Sequence, residues 1–409
     1  MRSSEKHLLL IVHRIPYPPD KGDKIRSYHE FRFLKEKGWR IHLATFIDDA
    51  GDEKHIPALR EQCETSFFQR IDKIRRNLAM AGALLTNRPL SVAAFYHPAA
   101  LAYVRSILAR YPVKAVLCYS SPTAEYIFRT RDLPEHAPLV CDFIDVDSDK
   151  WRQYAQKAPL WQRWIYAREA RCLAAYEKRI ADRFDAGVAV SEPEAALLRT
   201  VTGCTAGVHA IPNGVDMDYF HPATGDGPCP SEKEFTLVCC GLMDYYPNVD
   251  GVLWFAREVW PVLKDRIPTP RLTIVGANPA REIRRLGSHS GIEVTGRVPD
   301  IRPYVWRASV AIAPMRIARG IQNKVLEAMA MGKPVVATRQ AFEGIDALSG
   351  EDLMVADDAA GTFAEKIISL WQDPALAKTM GARARQTMVR NYAWERHLNA
   401  LNNLLENTP

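Results

Sequence analysis

The chain has 409 residues, 47% hydrophobic and 25% charged, enough for two or three domains that each bury a full core. That balance excludes a mostly disordered chain, and 22 Gly with 27 Pro excludes collagen-like and low-complexity classes. No apolar run nears the ~18 residues of a membrane span, and Leu8–Val12 is too short for the core of a signal peptide. A soluble, cytoplasmic chain is expected.

In chain order, short β-branched runs predict strands at Leu8–Val12, Ile41–Phe46, Ala115–Tyr119, Leu139–Ile144 and Ala186–Val190. A second series follows at Phe235–Cys240, Leu272–Val275, Ile292–Thr295, Val310–Ala313, Val335–Ala337 and Leu353–Val355. Helical periods fill the gaps, among them Ser27–Lys37, Trp151–Ala181, Val252–Leu263 and Lys324–Ala330. Strands alternating with helices predict an α/β chain of right-handed β-α-β units with parallel sheets. The turn-rich stretches Ile211–Asp216 and Pro222–Glu232 separate the two series, which therefore read as two doubly wound domains. Ligands of such sheets bind beyond the carboxyl ends of the strands, so a ligand is expected in a cleft between two facing domains.

The net charge of +6 is uneven. Residues 1–205 hold 32 Lys and Arg against 25 Asp and Glu, whereas residues 206–409 hold 22 against 23. The eight cysteines show no CxxC spacing, and several lie in apolar runs, so they read as reduced core thiols. The segment Arg70–Leu85 is a basic end leading into an apolar helix, and Trp151, Trp161 and Trp164 accompany Arg152, Arg163 and Arg168. Basic residues interleaved with apolar and aromatic ones suit an anionic membrane surface; core-facing helices with wet arginines are the alternative. No nucleic-acid signature is present, and no nucleic-acid partner is expected.

Two strand-to-helix turns carry candidate chemistry. His13–Lys24 holds Pro and Gly22 between the first strand and its helix, leaving backbone N–H groups to meet an anion. It lacks a GxGxxG fingerprint. The sharper segment is Ala313–Ala337, where Arg316, Arg319 and Lys324 surround a helix start opened by Gly320, Ile321 and Gln322. Three cations and unpaired helix amides suit a diphosphate. Glu327, one turn inside, suits the two hydroxyls of a ribose. A solvated loop with Glu327 paired to Lys324 or Lys333 is the alternative. Asp145-Val-Asp147 and Asp216-Met-Asp218 both read as D-x-D, a motif short enough to arise by chance, and no metal is assigned to either. Asp145 and Asp147 follow a predicted strand end in the first domain.

The segment with Gly320, Lys324, Glu327-Ala-Met-Ala, Gly332 and Pro334-Val-Val resembles the signature of the GT-B retaining glycosyltransferases, family 4. Ile211–Pro222 is similar to the family's interdomain junction, Val188–Ala195 to its last N-domain strand and turn, and Tyr392-Ala-Trp394 to the start of its closing helix. Asp142–Trp151 and Arg316–Lys324 further resemble a subgroup of exopolysaccharide loci linked to the exosortase/PEP-CTERM system.

The resemblance implies a GT-B fold: 1–205 on the acceptor side, 206–385 binding the nucleotide sugar, and 386–409 a helix returning across the cleft. It implies transfer of a hexosyl group from a nucleoside-diphosphate sugar, with retention, to a saccharide or lipid-linked saccharide at the inner face of the membrane. The donor is a substrate, and no cofactor is expected. Two departures stand out. The first of the family's two glutamates, eight apart, is Arg319 here, and the cation pair expected after the second domain's first strand is replaced by Met243 and Asn248. Arg316, Arg319 and Lys324 are therefore expected to carry the leaving diphosphate, with Asp145 and Asp147 toward the acceptor. A nucleotide-sugar epimerase and a non-catalytic scaffold are the rival readings.

Overall fold

The computed structural model describes residues 5–19, 22–222, 234–317 and 321–407. Two compact units divide the chain, one of Met1–Asn213 with Glu395–Pro409 and the other of Gly214–Trp394.

The first unit is built on a seven-stranded parallel sheet in the order β3-β2-β1-β4-β5-β6-β7. Its strands are β1 Lys6–Val12, β2 Trp39–Ile47, β3 Thr65–Arg70, β4 Val113–Tyr119, β5 Leu139–Ile144, β6 Ala186–Ala189 and β7 Val208–Ala210. The central strands are apolar on both faces because helices cover both sides, so their sequences read as continuous runs. The two edge strands escape that signal: every residue of β3 is at least partly exposed, and β7 has three residues. Chain order reverses between β1 and β4, which makes their carboxyl ends the switch point of this sheet.

The second unit holds a six-stranded parallel sheet in the order β10-β9-β8-β11-β12-β13. These strands are β8 Thr236–Cys240, β9 Arg271–Val275, β10 Ile292–Gly296, β11 Val310–Ala313, β12 Val335–Thr338 and β13 Met354–Ala356. The switch point lies between β8 and β11.

Two predicted helices are divided. Trp151–Ala181 resolves into Asp147–Lys157 and Leu160–Arg183, because Pro159 forces Ala158 into extended backbone (ψ 153°). Val252–Leu263 resolves into Tyr246–Trp254, a π turn at Phe255–Val259, and Trp260–Arg266. Pro261 lacks the N–H that regular winding needs there, and the wider turn accommodates the loss.

The last helix, Trp394–Asn407, turns Leu398, Leu401 and Leu405 inward, one face at helical spacing. Its Asn402 accepts a hydrogen bond from the Trp39 indole at 2.9 Å, and its Glu406 pairs with Lys6 at 2.6 Å. At the junction, a Cβ on Gly214 would lie 2.7 Å from the Trp394 backbone. Only glycine permits that approach.

Candidate functional site

In the second unit the turns after β8, β9 and β11 pack backbone against backbone. A Cβ on Gly276 would fall 1.7 Å from the Gly241 carbonyl, and one on Gly251 would fall 2.4 Å from the Pro314 carbonyl. Glycine at 276 and 251 is what lets these segments close up at the carboxyl ends of the strands. The helix Asn323–Ala330 starts there, after Gln322 in extended conformation (φ −85°, ψ 99°) and the part-buried Ile321.

Lys324, in the first turn of that helix, donates to the Asn248 side-chain oxygen and approaches the Met315 sulfur at 3.5 Å. Asn248 is buried and donates to the Leu242 carbonyl at 2.7 Å, which fixes its orientation. A Cβ on Gly241 would come within 3.2 Å of the Lys324 ammonium, so the cation sits at the very end of β8. Asn248 occupies one of the two positions where cations are expected from the resemblance, and it brings Lys324 there. Met243, at the other, is fully buried in the core.

Glu327 lies one turn further along the same helix. Burial raises its carboxyl to about 7, with Lys324 opposing. Burial also lowers Lys324 from the ordinary lysine value, while Glu327 works against that fall. Each therefore offsets only part of what burial costs the other's charged form. Lys333, the other candidate partner of Glu327, donates to the Trp306 and Ala308 carbonyls at 2.7 and 2.9 Å. A half-buried carboxylate beside a cation held elsewhere can take hydrogen bonds from a ligand.

Arg316 makes a two-pronged ion pair with Asp250, at 3.1 and 2.7 Å, and lies over the Trp254 ring at 5.8 Å. The structure thus places it against the helix Tyr246–Trp254. Arg319 and Gly320 lie outside the described residues.

In the first unit Asp145 and Asp147 follow β5 on a loop clamped from beneath. The Asp142 carboxylate accepts from Ile144 N at 2.8 Å, Glu194 from Val146 N at 2.9 Å, and Glu177 from Ser148 N at 3.0 Å and from its hydroxyl. Alternate residues 144, 146 and 148 are therefore tied down through their amides. Ile144 is held at φ 68°, a conformation a β-branched residue adopts only under constraint. Asp145 is itself exposed to solvent, but desolvation by the dense surroundings of its carboxyl lifts it to about 6, with Glu194 adding to the rise. Burial also raises Asp147, against the pull of Lys150, His13 and Arg14.

Gly22 opens the helix Gly22–Glu36, with open space where a side chain would stand. The next residue, Asp23, meets Arg14 at 2.7 Å and His13 at 3.3 Å. Burial works against its charge, but these two partners hold its carboxyl well below the usual carboxylate range. His13 stacks on Tyr119 with ring centres 5.9 Å apart. His13 and Arg14 after β1 and Asp147 after β5 thus share one electrostatic environment at the switch point.

Below this lies a wholly buried group. Arg26 bonds Asp142 at 2.8 and 2.6 Å, pairs with Glu30 at 3.1 Å, and donates to the Ile211 carbonyl at 2.8 Å and the Asn213 side chain at 3.0 Å. Burial, with Asp142 alongside, keeps the Glu30 carboxyl well above its ordinary value.

Sequence reasoning missed Arg26 and Glu177, and although Asn248, His13, Arg14 and Glu194 fell inside segments it singled out, it gave none of these four a role of its own. Glu177 had a legible signal, since it interrupts the inward stripe of Leu173, Tyr176 and Ile180 with a carboxylate. Asp216 of the second D-x-D accepts from the amides of Asp218 and Tyr219 at 3.1 and 2.9 Å, which makes it a turn former.

Two family models match this chain: a glycosyl transferase 4-like domain over residues 27–214 and a glycosyl transferases group 1 domain over residues 234–373. EpsD of Bacillus subtilis, which carries a glycosyltransferase name, is 23% identical over 383 residues, 88% of this chain and 87% of its own. Two further relatives match over shorter stretches. A D-inositol 3-phosphate glycosyltransferase of Corynebacterium jeikeium is 26% identical over 59% of this chain and 62% of its own length. A GDP-mannose-dependent alpha-(1-6)-phosphatidylinositol monomannoside mannosyltransferase of Mycolicibacterium smegmatis is 27% identical over 53% and 61%. Among solved structures, HepE of Anabaena in complex with UDP and glucose superposes with a TM-score of 0.67 at 14% identity, covering 98% of this chain and 99% of its own. The fold is GT-B, with two Rossmann-like parallel-sheet domains.

Proposed function

Because the chain belongs to the glycosyltransferases, its two halves matching the 4-like and group 1 domains, we propose that it moves a hexose from a nucleoside-diphosphate sugar to a lipid-linked saccharide, with retention at the anomeric carbon. The observation that carries this reading is Lys324, held by Asn248 at the end of β8 one turn from Glu327. Lys324 faces the diphosphate and Glu327 the ribose hydroxyls. The anomeric carbon–oxygen bond breaks toward the diphosphate, and the acceptor oxygen bonds to the same face of the sugar. The acceptor proton leaves on the departing phosphate. Lys324 stabilises the charge that grows there, and the reading needs no metal or cofactor. Arg316 and Arg319 add to that field. Asp145, with its carboxyl at about 6, is ionised at neutral pH and orients the acceptor hydroxyl together with Asp147.

The phosphatidylinositol mannoside named for one relative supports a lipid-linked acceptor, and the UDP held by HepE supports a nucleotide donor. The resemblance of Asp142–Trp151 and Arg316–Lys324 to exopolysaccharide loci supports that pathway class, with the enzyme at the inner face of the cytoplasmic membrane.

Glu327 gives a direct test. Hydrogen bonds from ribose favour the ionised carboxylate, so below about pH 7 binding must expel a proton and above it need not. Affinity for an intact nucleotide sugar, whose diphosphate does not titrate there, should rise from pH 6 to pH 8. Glu327→Gln should flatten the rise, and Glu327→Ala should weaken binding by about 1.5–3 kcal/mol, roughly tenfold to a hundredfold. Titration calorimetry with UDP- and GDP-sugars measures both. Unchanged affinity in Glu327→Ala for every sugar bound would remove Glu327 from the site.

A further inference from the structure

The helix Lys73–Leu84 has two apolar faces. One holds Ala79, Met80 and Ala83, which pack with Leu90, Ala93 and Ile165. The opposite face carries Ile74, Leu78, Ala81 and Leu85, which span about 60° of arc at 100° per residue. Ile74, Leu78 and Leu85 are 73%, 69% and 89% exposed. Three large aliphatic side chains in one row facing water are not explained by the packing of this unit.

The row continues onto a neighbouring helix. Arg168, in Leu160–Arg183, donates to the Ala83 carbonyl at 2.6 Å and also to that of Thr86, so it closes the end of Lys73–Leu84 where Leu85 stands. Trp164, one turn before Arg168, is 58% exposed, and Leu160, one turn earlier again, is 80% exposed. The start of Lys73–Leu84 is cationic. Arg70, Lys73 and Arg75 lie within six residues, with Asp72 the one carboxylate among them, and Asp72 is spent capping the helix through Arg75 N at 2.7 Å; Arg76 turns toward the packed face, its Nε buried. Arg70 meets Glu53 only at 3.5 Å, and Arg75 reaches the neutral-leaning His97 ring.

We infer that this face is a docking surface for an anionic phospholipid membrane. An apolar row seats in the acyl boundary while the flanking cations meet the headgroup phosphates, and the excess positive charge of residues 1–205 adds a field of the same sign. A protein partner matched to this row would need a complementary groove. A lipid surface needs only the row and the charge. The inference stands apart from the donor and acceptor reading, because it requires no sugar.

The full chain is sedimented with vesicles of phosphatidylcholine alone and of phosphatidylcholine with phosphatidylglycerol in equal parts, free of saccharide. Partitioning should be at least roughly tenfold stronger on the anionic vesicles and should weaken with salt. The double variant Leu78→Glu, Leu85→Glu should lose it while keeping its affinity for a nucleotide sugar. Equal binding to both vesicles, no binding to either, or unchanged binding in the double variant would overturn the inference. So would light scattering that shows a concentration-dependent dimer abolished by the same variant, since the face would then join two copies.

Discussion

Lys324→Ala is expected to slow single-turnover transfer by about 10²–10³ at saturating donor, while the donor affinity falls far less. The reason is where the ammonium sits. Asn248 and the bare Gly241 place it at the carboxyl end of β8, and the buried surroundings already lower its proton affinity. A cation that has given up part of its hydration interacts strongly with charge that appears only as the glycosidic bond breaks. Asn248→Ala should reproduce part of the loss, because it removes the acceptor that aims Lys324 without touching the charge. Arg316→Ala should cost less, since Asp250 already takes both prongs of that guanidinium. Quenched-flow rates on the three variants test the order. Equal rates in Lys324→Ala and the parent would place the diphosphate elsewhere.

Arg26→Met is expected to destabilise the chain by about 3–5 kcal/mol, the cost of breaking a buried ion pair from one side. Arg26 has no exposure to water, and its loss strands Asp142 and Glu30 together in the core. It also frees the Ile211 carbonyl and Asn213, at the edge of the first unit. Asp142 has a second duty, because its other oxygen holds Ile144 at positive φ and so shapes the Asp145–Asp147 loop. The double variant Arg26→Met, Asp142→Asn should therefore recover part of the stability, since an amide oxygen still accepts from Ile144 N while the stranded charge is gone. Urea denaturation measures each. A loss below about 1 kcal/mol in Arg26→Met would mean that the group is not paired as described.

The interior strands of both sheets were legible because strands covered on two faces read as unbroken β-branched runs. β3 was not, since Thr65–Arg70 is an edge strand whose every residue is partly exposed. Helix periodicity carried across Pro159 and Pro261 because the apolar spacing survives a local break in winding. Lys324 and Glu327 stood out as charges beside a strand–loop–helix pattern. Asn248 stood out only as a missing cation and not as the partner of Lys324, because 76 residues separate the two and an asparagine after a strand usually signals a turn. The carboxylates that clamp residues 144–148 come from three different elements, and no local spacing records that convergence.

The most direct test incubates the full chain with radiolabelled UDP- and GDP-sugars and a bacterial lipid extract, then follows the label and the released nucleotide. Label moving into the lipid fraction with stoichiometric release of nucleoside diphosphate, and an anomeric configuration that matches the donor, is the expected result. Epimerised free donor with no release, or an inverted linkage in the product, would contradict it.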